Sequence, residues 1–537
     1  MGRKRVRRDR TALVRTKVAP RSGDIQCGAR YKVRCVTAAL AELRRRLAEL
    51  ADLRRAERML VWDMSVLMPA AGADARAAQL AALERVVHEL FVDDRIGELL
   101  DELEPYAAGL PYDADDACLV RVTRSDWDKA RRVPTELSAE IAKARAEGYE
   151  IWVKARQDSD FETFRPTLER MLELKVRYVE CLAPYDDPYD VLLDDYEPGM
   201  RTAEVRAVFD VLKPELTSLI DGRYSDEEDD FMHGPFSVDA QHALSLELLE
   251  RFGAPAGEFR LDRTVHPFAT SSGLRDIRIT TRYAEDDLSS LFTAMHEFGH
   301  GIYQHGVSPT LDRTPMETPP SARDFSMALH ESQSRLWENL VGRSIPFWRC
   351  FYPRVQETFP DVLGDVSLED FHRAVNRVRR TFVRVDADET TYGLHIILRF
   401  ELEQELLSGR LAVKDLPDAW NARFEELFGL EVPNDAAGVL QDVHWADGLL
   451  GYFPTYQLGN VLSVQIWEKA REAIPSLEEQ IERGEFSELL GWLREHLYAH
   501  GRKFTPAETI ERVVGGPIDP QPYLRYLRDK LGALAAA

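Results

Sequence analysis

The feature that most constrains this chain is a helical apolar period that returns almost from end to end. From Thr37 onward, Leu40, Leu43, Leu47, Leu50 and Leu53 recur every three or four residues among Arg and Glu, which is the stripe of an amphipathic helix. The same period is readable over residues 80–91, 168–178, 244–252, 291–303, 328–341, 371–407 and 466–497. It breaks where Pro and Gly cluster, at 184–198, 225–235 and 309–320, and helices are expected to stop there. An apolar stripe must be covered by another element, so the pattern predicts a mainly α fold. With no fixed-period repeat and no low-complexity linker, residues 37–537 read as one helical domain.

Composition narrows the function classes. With 44% hydrophobic and 30% charged residues the chain has an ordinary globular balance. No run approaches the ~18 apolar residues of a membrane-spanning helix. Acids outnumber bases by 92 to 69, which disfavours a nucleic-acid partner, because phosphate binding needs concentrated positive charge. Cys27, Cys35, Cys118, Cys181 and Cys350 are scattered, with no Cys-x-x-Cys pair. That argues against a disulfide framework and a thiolate zinc site, and fits a reducing, cytoplasmic setting. Residues 1–36 depart from the average: nine Lys/Arg lie between Arg3 and Arg21 against the single acid Asp9. One-sign runs repel themselves, so this segment is expected to be a disordered basic N-terminal extension.

One segment breaks the helical period. Residues 276–283 read DIRITTRY, with β-branched residues alternating with polar ones as in a half-buried strand. Asp276, Arg278 and Thr280 share one face, and the pattern fits an amphipathic edge strand with an internal Asp276/Arg278 pair.

Shortly after it comes His296-Glu297-Phe298-Gly299-His300, inside the apolar pattern of Leu291, Phe292, Met295 and Ile302. Four residues on a helix make about one turn, so both imidazoles can face one metal ion. Glu297 lies about 100° around the axis, beside the ion, where a base can take a proton from water. A catalytic zinc takes three protein ligands, so one is still owed. Tyr303 and Gly306 stand where a metzincin would carry Gly and His, which excludes that class. His305 is about 140° off the ligand face and reads as an ordinary surface or packing histidine. The next helical pattern, ALHESQSRLWENL, offers Glu331, with Glu338 a heptad later. Glu331 on a neighbouring antiparallel helix would complete a His, His, Glu set; otherwise it is a surface glutamate paired with Arg335 four residues on.

With these residues in view the chain resembles the carboxypeptidase Taq-type zinc metallocarboxypeptidases, a family distantly similar to thimet oligopeptidase and neurolysin. The resemblance runs from about Thr37 to the C-terminus. It rests on LVWDMSVLMP (60–69), PYDVLLDDYEPGM (188–200), His266-Pro267-Phe268, DIRIT (276–280), HEFGH (296–300), HESQSR (330–335), VRVDADE (383–389), GVLQDVHW (438–445) and GYFPTYQLGN (451–460). Two departures are Val383, where the family has Ile or Leu, and SSGLR (271–275), which replaces a glycine-and-proline stretch.

The resemblance implies a saddle-like helical body with a deep groove, one small β-sheet beside the metal-binding helix, and a homodimer. It implies metal-dependent release of single C-terminal residues from peptides with a free C-terminus, at broad specificity. One divalent ion per subunit, zinc or alternatively cobalt, would be held by His296, His300 and Glu331, with Glu297 as general base. By the same resemblance His444, with Tyr456 or Tyr452, would donate to the developing oxyanion. Arg384 would receive the substrate carboxylate, with Arg278 as the alternative; His266, Phe268, Asp276 and Thr280 would shape the groove, and Gln441 and Asp442 would support His444. Read on its own, Arg384 could instead be the helix-surface partner of Asp388. No nucleic acid and no membrane partner is expected. A zinc endo-oligopeptidase on the same framework, or a non-catalytic helical metal- or peptide-binding protein, are the competing readings.

Overall fold

The computed structural model describes residues 22–224, 229–320 and 326–536, with side chains from Val36 onward. The fold is mainly helical. The first helix, α1 (Ser22–Val66), begins ahead of Thr37; no proline interrupts it before Pro69. The expectation of a disordered basic extension falls largely on residues 1–21, outside the described residues. Leu43, Leu47 and Leu50 of the α1 stripe are buried against the helices Asp94–Ala107 and Asp115–Ala130, whereas Leu40 and Leu53 lie at the margin. These helices form a smaller core of their own, which Val307, Leu311 and Met316 join. A larger core fills the rest of the molecule.

The sheet has three strands in the order β1-β3-β2, comprising β1 (Phe259–Arg263), β2 (Ala269–Gly273) and β3 (Asp276–Thr281). β3 is therefore the central strand and not an edge, pairing parallel with β1 and antiparallel with β2. Its even positions carry polar groups because they are used internally: Asp276 and Arg278 form a bidentate pair, and Thr280 is fully buried. Ile277 and Ile279 of β3, with Phe259 of β1, pack on Gly301 of the helix that follows, α2 (Ser289–Gly306).

α2 is buried nearly all round and runs through the larger core. Asp287 starts it, its carboxylate accepting from the Ser289 amide at 2.8 Å. Beside it lies α3 (Met327–Arg335), capped by Ser326, whose Oγ accepts from the Leu329 amide at 3.1 Å. α3 passes without a break into a π-helical segment, Leu336–Val341. The apolar period over 371–407 is not one helix. A helix over Leu368–Val375 ends at Asn376, an irregular stretch carries Arg384, and α4 (Tyr392–Leu407) follows. Asp388 imposes that break, its carboxylate accepting from the amides of Arg379, Thr390 and Thr391 at 2.8–3.2 Å, a capping role that needs non-helical backbone. Likewise 466–497 divides among α5 (Pro454–Ala473) and two shorter helices, interrupted at Pro475 and Gly484.

Candidate metal centre and groove

α2, α3 and α5 meet with almost no side chain between their backbones. A Cβ at Gly299 of α2 would fall 2.5 Å from Ser334 Cα of α3, and one at Gly459 of α5 would fall 2.6 Å from Glu331 Cβ. Only glycine tolerates either approach. Glu331 is thus held from two sides and delivered to the histidine face of α2.

The geometry there suits a divalent cation. Glu331 Oε2 lies 3.6 Å from His296 Nε2 and 3.4 Å from His300 Nε2. Ligands at about 2.1 Å from a tetrahedral ion stand about 3.4 Å apart, so the separations fit zinc-like coordination. His296, His300 and Glu331 are the group of potential ligands that converges in this way among the described residues. Glu331 is buried and not a surface residue, yet it does pair with Arg335, its Oε1 accepting from Arg335 Nε at 2.7 Å. Burial opposes its charge, but Arg335 and His296 hold its pKa well below the usual carboxylate range.

Glu338, which sequence reasoning placed but gave no role, reaches His296 Nδ1 at 2.9 Å from the π-helical segment. An anionic acceptor on Nδ1 fixes the tautomer that leaves Nε2 free to ligate. Despite burial, Arg335 and His296 bring Glu338 down to about 2. Arg335 itself donates to both carboxylates and lies over the Tyr392 ring at 4.5 Å.

Glu297 is buried, and its Oε2 has no hydrogen-bond partner among the described residues. Burial raises its pKa against the pull of His296 and His300. A carboxylate with an unused oxygen and raised basicity beside a ligand set is equipped to accept a proton.

His444 Nε2 contacts Tyr456 Oη at 3.1 Å, and Tyr452 packs on both rings. Burial, reinforced by Arg384 and Arg399, lowers His444 to about 3, so the imidazole is neutral at ordinary pH. Asp442 binds two arginines. Arg384 Nε and Nη2 donate to its Oδ1 at 3.0 and 2.8 Å, and Arg399 Nε donates to Oδ2 at 2.6 Å. Gln441 Oε1 accepts from the Arg384 amide and from Arg399 Nη2. Arg384 is therefore a buried member of a cluster with Asp442, with Nη1 on Tyr392 Oη at 2.7 Å. It opens a single 3-10 turn, Arg384–Asp386, instead of lying on an α-helix surface, and its guanidinium bonds to Asp442 and Tyr392 and not to Asp388.

The strand residues are engaged within the sheet. Thr280 Oγ1 clamps the Phe268 backbone, accepting from its amide at 2.8 Å and donating to its carbonyl at 2.9 Å. The Arg278 guanidinium, paired with Asp276, lies 4.4 Å over the Trp62 ring of α1. His266 is exposed, and His305 pairs with Glu258 at 2.8 Å, away from the ligand set. Tyr392, Arg399 and the role of Glu338 escaped sequence reasoning, whereas the i,i+4 spacing of Arg335 from Glu331 had signalled that pair; only the heptad spacing of Glu338 from Glu331 pointed to any of the others.

The profile of the family described as carboxypeptidase Taq (M32) metallopeptidase matches residues 42–531. Thermostable carboxypeptidase 1 of Thermus thermophilus is 42% identical over 508 residues, covering 92% of this chain and 98% of that protein. Carboxypeptidase 1 of Bacillus subtilis is 34% identical, covering 91% and 97%. Among solved structures, an M32 carboxypeptidase from Deinococcus radiodurans R1 is similar at a TM-score of 0.88 and 40% identity, covering 93% of this chain and all of that one (100%).

Proposed function

The chain belongs to the carboxypeptidase Taq (M32) family of metallopeptidases and is a metallocarboxypeptidase, and on that premise we propose that it releases single residues from free peptide C-termini through a His296, His300, Glu331 metal centre. The observation that carries this reading is the approach of Glu331 Oε2 to both imidazoles at 3.4–3.6 Å, beside the unpaired Oε2 of buried Glu297. Zinc suits two imidazoles and a carboxylate, and cobalt can take the same set. When bound, such an ion supplies Lewis acidity, which acidifies water and polarises a peptide carbonyl.

The side chains do the rest. Glu297 takes a proton from the attacking water as its oxygen bonds to the carbonyl carbon. It returns that proton to the amine nitrogen as the C–N bond breaks. His444 as a neutral N–H donor, with Tyr456 or Tyr452, stabilises the charge that develops on the carbonyl oxygen. Glu338 keeps His296 in its ligating tautomer. Arg384, held rigid by Asp442 and Tyr392, presents positive charge to the substrate carboxylate, while Gln441 and Asp442 fix the loop that carries His444. His266 and Phe268 line the groove, with Thr280 holding the Phe268 backbone and Asp276 orienting Arg278. A homodimer and a cytoplasmic location remain part of the proposal through family resemblance and cysteine pattern. Among the described residues no helix is long and apolar enough to cross a membrane.

The test pairs a free peptide with its C-terminally amidated form and follows products over time. One amino acid released per step from the free form alone supports the reading; equal cleavage of the amide would point to an endopeptidase. Glu297→Gln should lower kcat by ~10²–10⁴ with metal content retained, and unimpaired turnover would remove Glu297 from the mechanism.

A further inference from the structure

Three arginines project from one stretch of α1 toward the body of the protein, and two are matched by acids. Arg54 donates to Glu57, Glu84 and the Pro320 carbonyl, and Arg55 to Asp312 and Glu317. Arg58 differs. Half-buried, it has one hydrogen bond among the described residues, a long one of 3.4 Å from Nη1 to the Ser271 hydroxyl of β2. A guanidinium carries five donors, so most of the hydrogen-bonding capacity of Arg58 is unused among the described residues. Desolvation, with Arg55 and Arg54 adding to it and Glu317 and Glu57 opposing, pulls its pKa below that of an ordinary arginine, the mark of a cation short of anionic partners.

Its position defines what it can meet. Arg58 acts electrostatically on His330, the neighbour of Glu331, whose ring packs 5.6 Å from that of His300. It therefore flanks the metal centre. The two ends of β2 look different ways. Arg156 and Arg282 act on both His266 and Asp386, so the turn that leads into β2 lies near the turn that carries Arg384. The far end, at Gly273, faces Arg55 of α1. Arg58 belongs to α1 and reaches β2 at Ser271, between those two ends.

A peptide whose free carboxylate is directed toward Arg384, as proposed above, runs its upstream residues toward the α1 side. We infer that Arg58 forms an upstream subsite that selects peptides carrying an Asp or Glu side chain a few residues before the cleaved bond. This inference rests on the metallocarboxypeptidase reading with Arg384 at the carboxylate end.

The experiment uses the zinc-loaded enzyme and a set of free-carboxyl peptides that differ only in Glu, Gln or Lys at each of the second to fourth positions upstream of the cleaved bond. At one of these positions the Glu peptide should be hydrolysed with a kcat/KM about tenfold above its Gln counterpart, the scale of a charge-assisted hydrogen bond. Arg58→Ala should bring that ratio close to one, and Arg58→Glu should reverse it in favour of Lys. Each ratio compares two substrates on one preparation, so a partly inactive variant still reports. Should a variant not fold, the parent enzyme's Glu advantage must still shrink as salt rises. No Glu preference in the parent, or a preference untouched by Arg58→Ala, overturns the inference. Loss of discrimination between free and amidated C-termini in Arg58→Ala also overturns it, by making Arg58 the carboxylate anchor. A parent that releases no C-terminal residue from any peptide refutes the underlying reading instead.

Discussion

Gly299→Ala tests whether backbone contact between α2 and α3 builds the metal centre. Alanine is the better helix former by about 1 kcal/mol, so with free space the variant would gain stability. The space is not there. The new Cβ would fall 2.5 Å from Ser334 Cα, whereas ordinary contact begins at 3.4 Å, so the helices must part by about 0.9 Å. Carried to the ligands, that moves Glu331 Oε2 from 3.4 Å to about 4.3 Å from His300 Nε2, well outside the ~0.2 Å tolerance of a coordination shell. Overpacking costs about 1–3 kcal/mol and is offset by about 1 kcal/mol of helix propensity, so the net loss is at most about 2 kcal/mol. A unit of this length unfolds with roughly 1 kcal/mol per kelvin of entropy, and melting would shift by at most about 2 °C. Metal affinity is the sharper readout. We expect zinc binding at least about 100-fold weaker, measured by competition with a chromogenic chelator. Gly491→Ala, in the helix Ser487–His496 with nothing within 4 Å of its Cβ, is the control and should bind zinc as the parent does. Parental zinc affinity in Gly299→Ala, with helicity unchanged, would refute the argument.

Three further outcomes follow from the same reasoning. Glu338→Gln removes the anionic acceptor on His296 Nδ1, so zinc affinity should fall ~10–100-fold and excess zinc should restore hydrolysis, read as activity against free zinc. Asp442→Asn leaves buried Arg384 and Arg399 without their counter-charge and should cost ~3–5 kcal/mol, seen as a lower denaturant midpoint with unchanged slope. Glu197, buried and accepting from the Ser326 hydroxyl and the Ala328 amide at the start of α3, is raised by burial from 4.5 to about 8. The folded state therefore keeps a proton that the unfolded chain releases, so this group subtracts stability as pH rises from about 4.5 to 8. Glu197→Gln should flatten that decline by a few kcal/mol in denaturation curves at pH 5 and pH 8, and an unchanged slope would remove Glu197 as its source.

Much of the helical architecture was legible because burying one face of a helix leaves a period in the chain, and the two imidazoles were legible because their spacing is local. Glu331 was within reach of sequence reasoning because the next helix offered few acids at apolar-helix spacing. The cluster around Asp442 was not. Arg384, Arg399 and Asp442 come from three separate segments, and their pairing depends on loop 376–391 leaving the helical path. The apolar period runs straight across that loop; the break is written only in how Asp388 caps Thr390 and Thr391. The central place of β3 was hidden for a similar reason, since polar residues that bond to one another imitate a solvent-facing edge.

The contact at Gly459 has a mechanical consequence. Tyr456 and Gly459 are one turn apart on α5, and Gly459 abuts Glu331 with no intervening side chain to absorb displacement. On the proposed reading, a substrate that presses on Tyr456 loads the same rigid rod that backs Glu331, so substrate engagement and the stiffness of ion coordination would be transmitted through one member instead of two independent hinges.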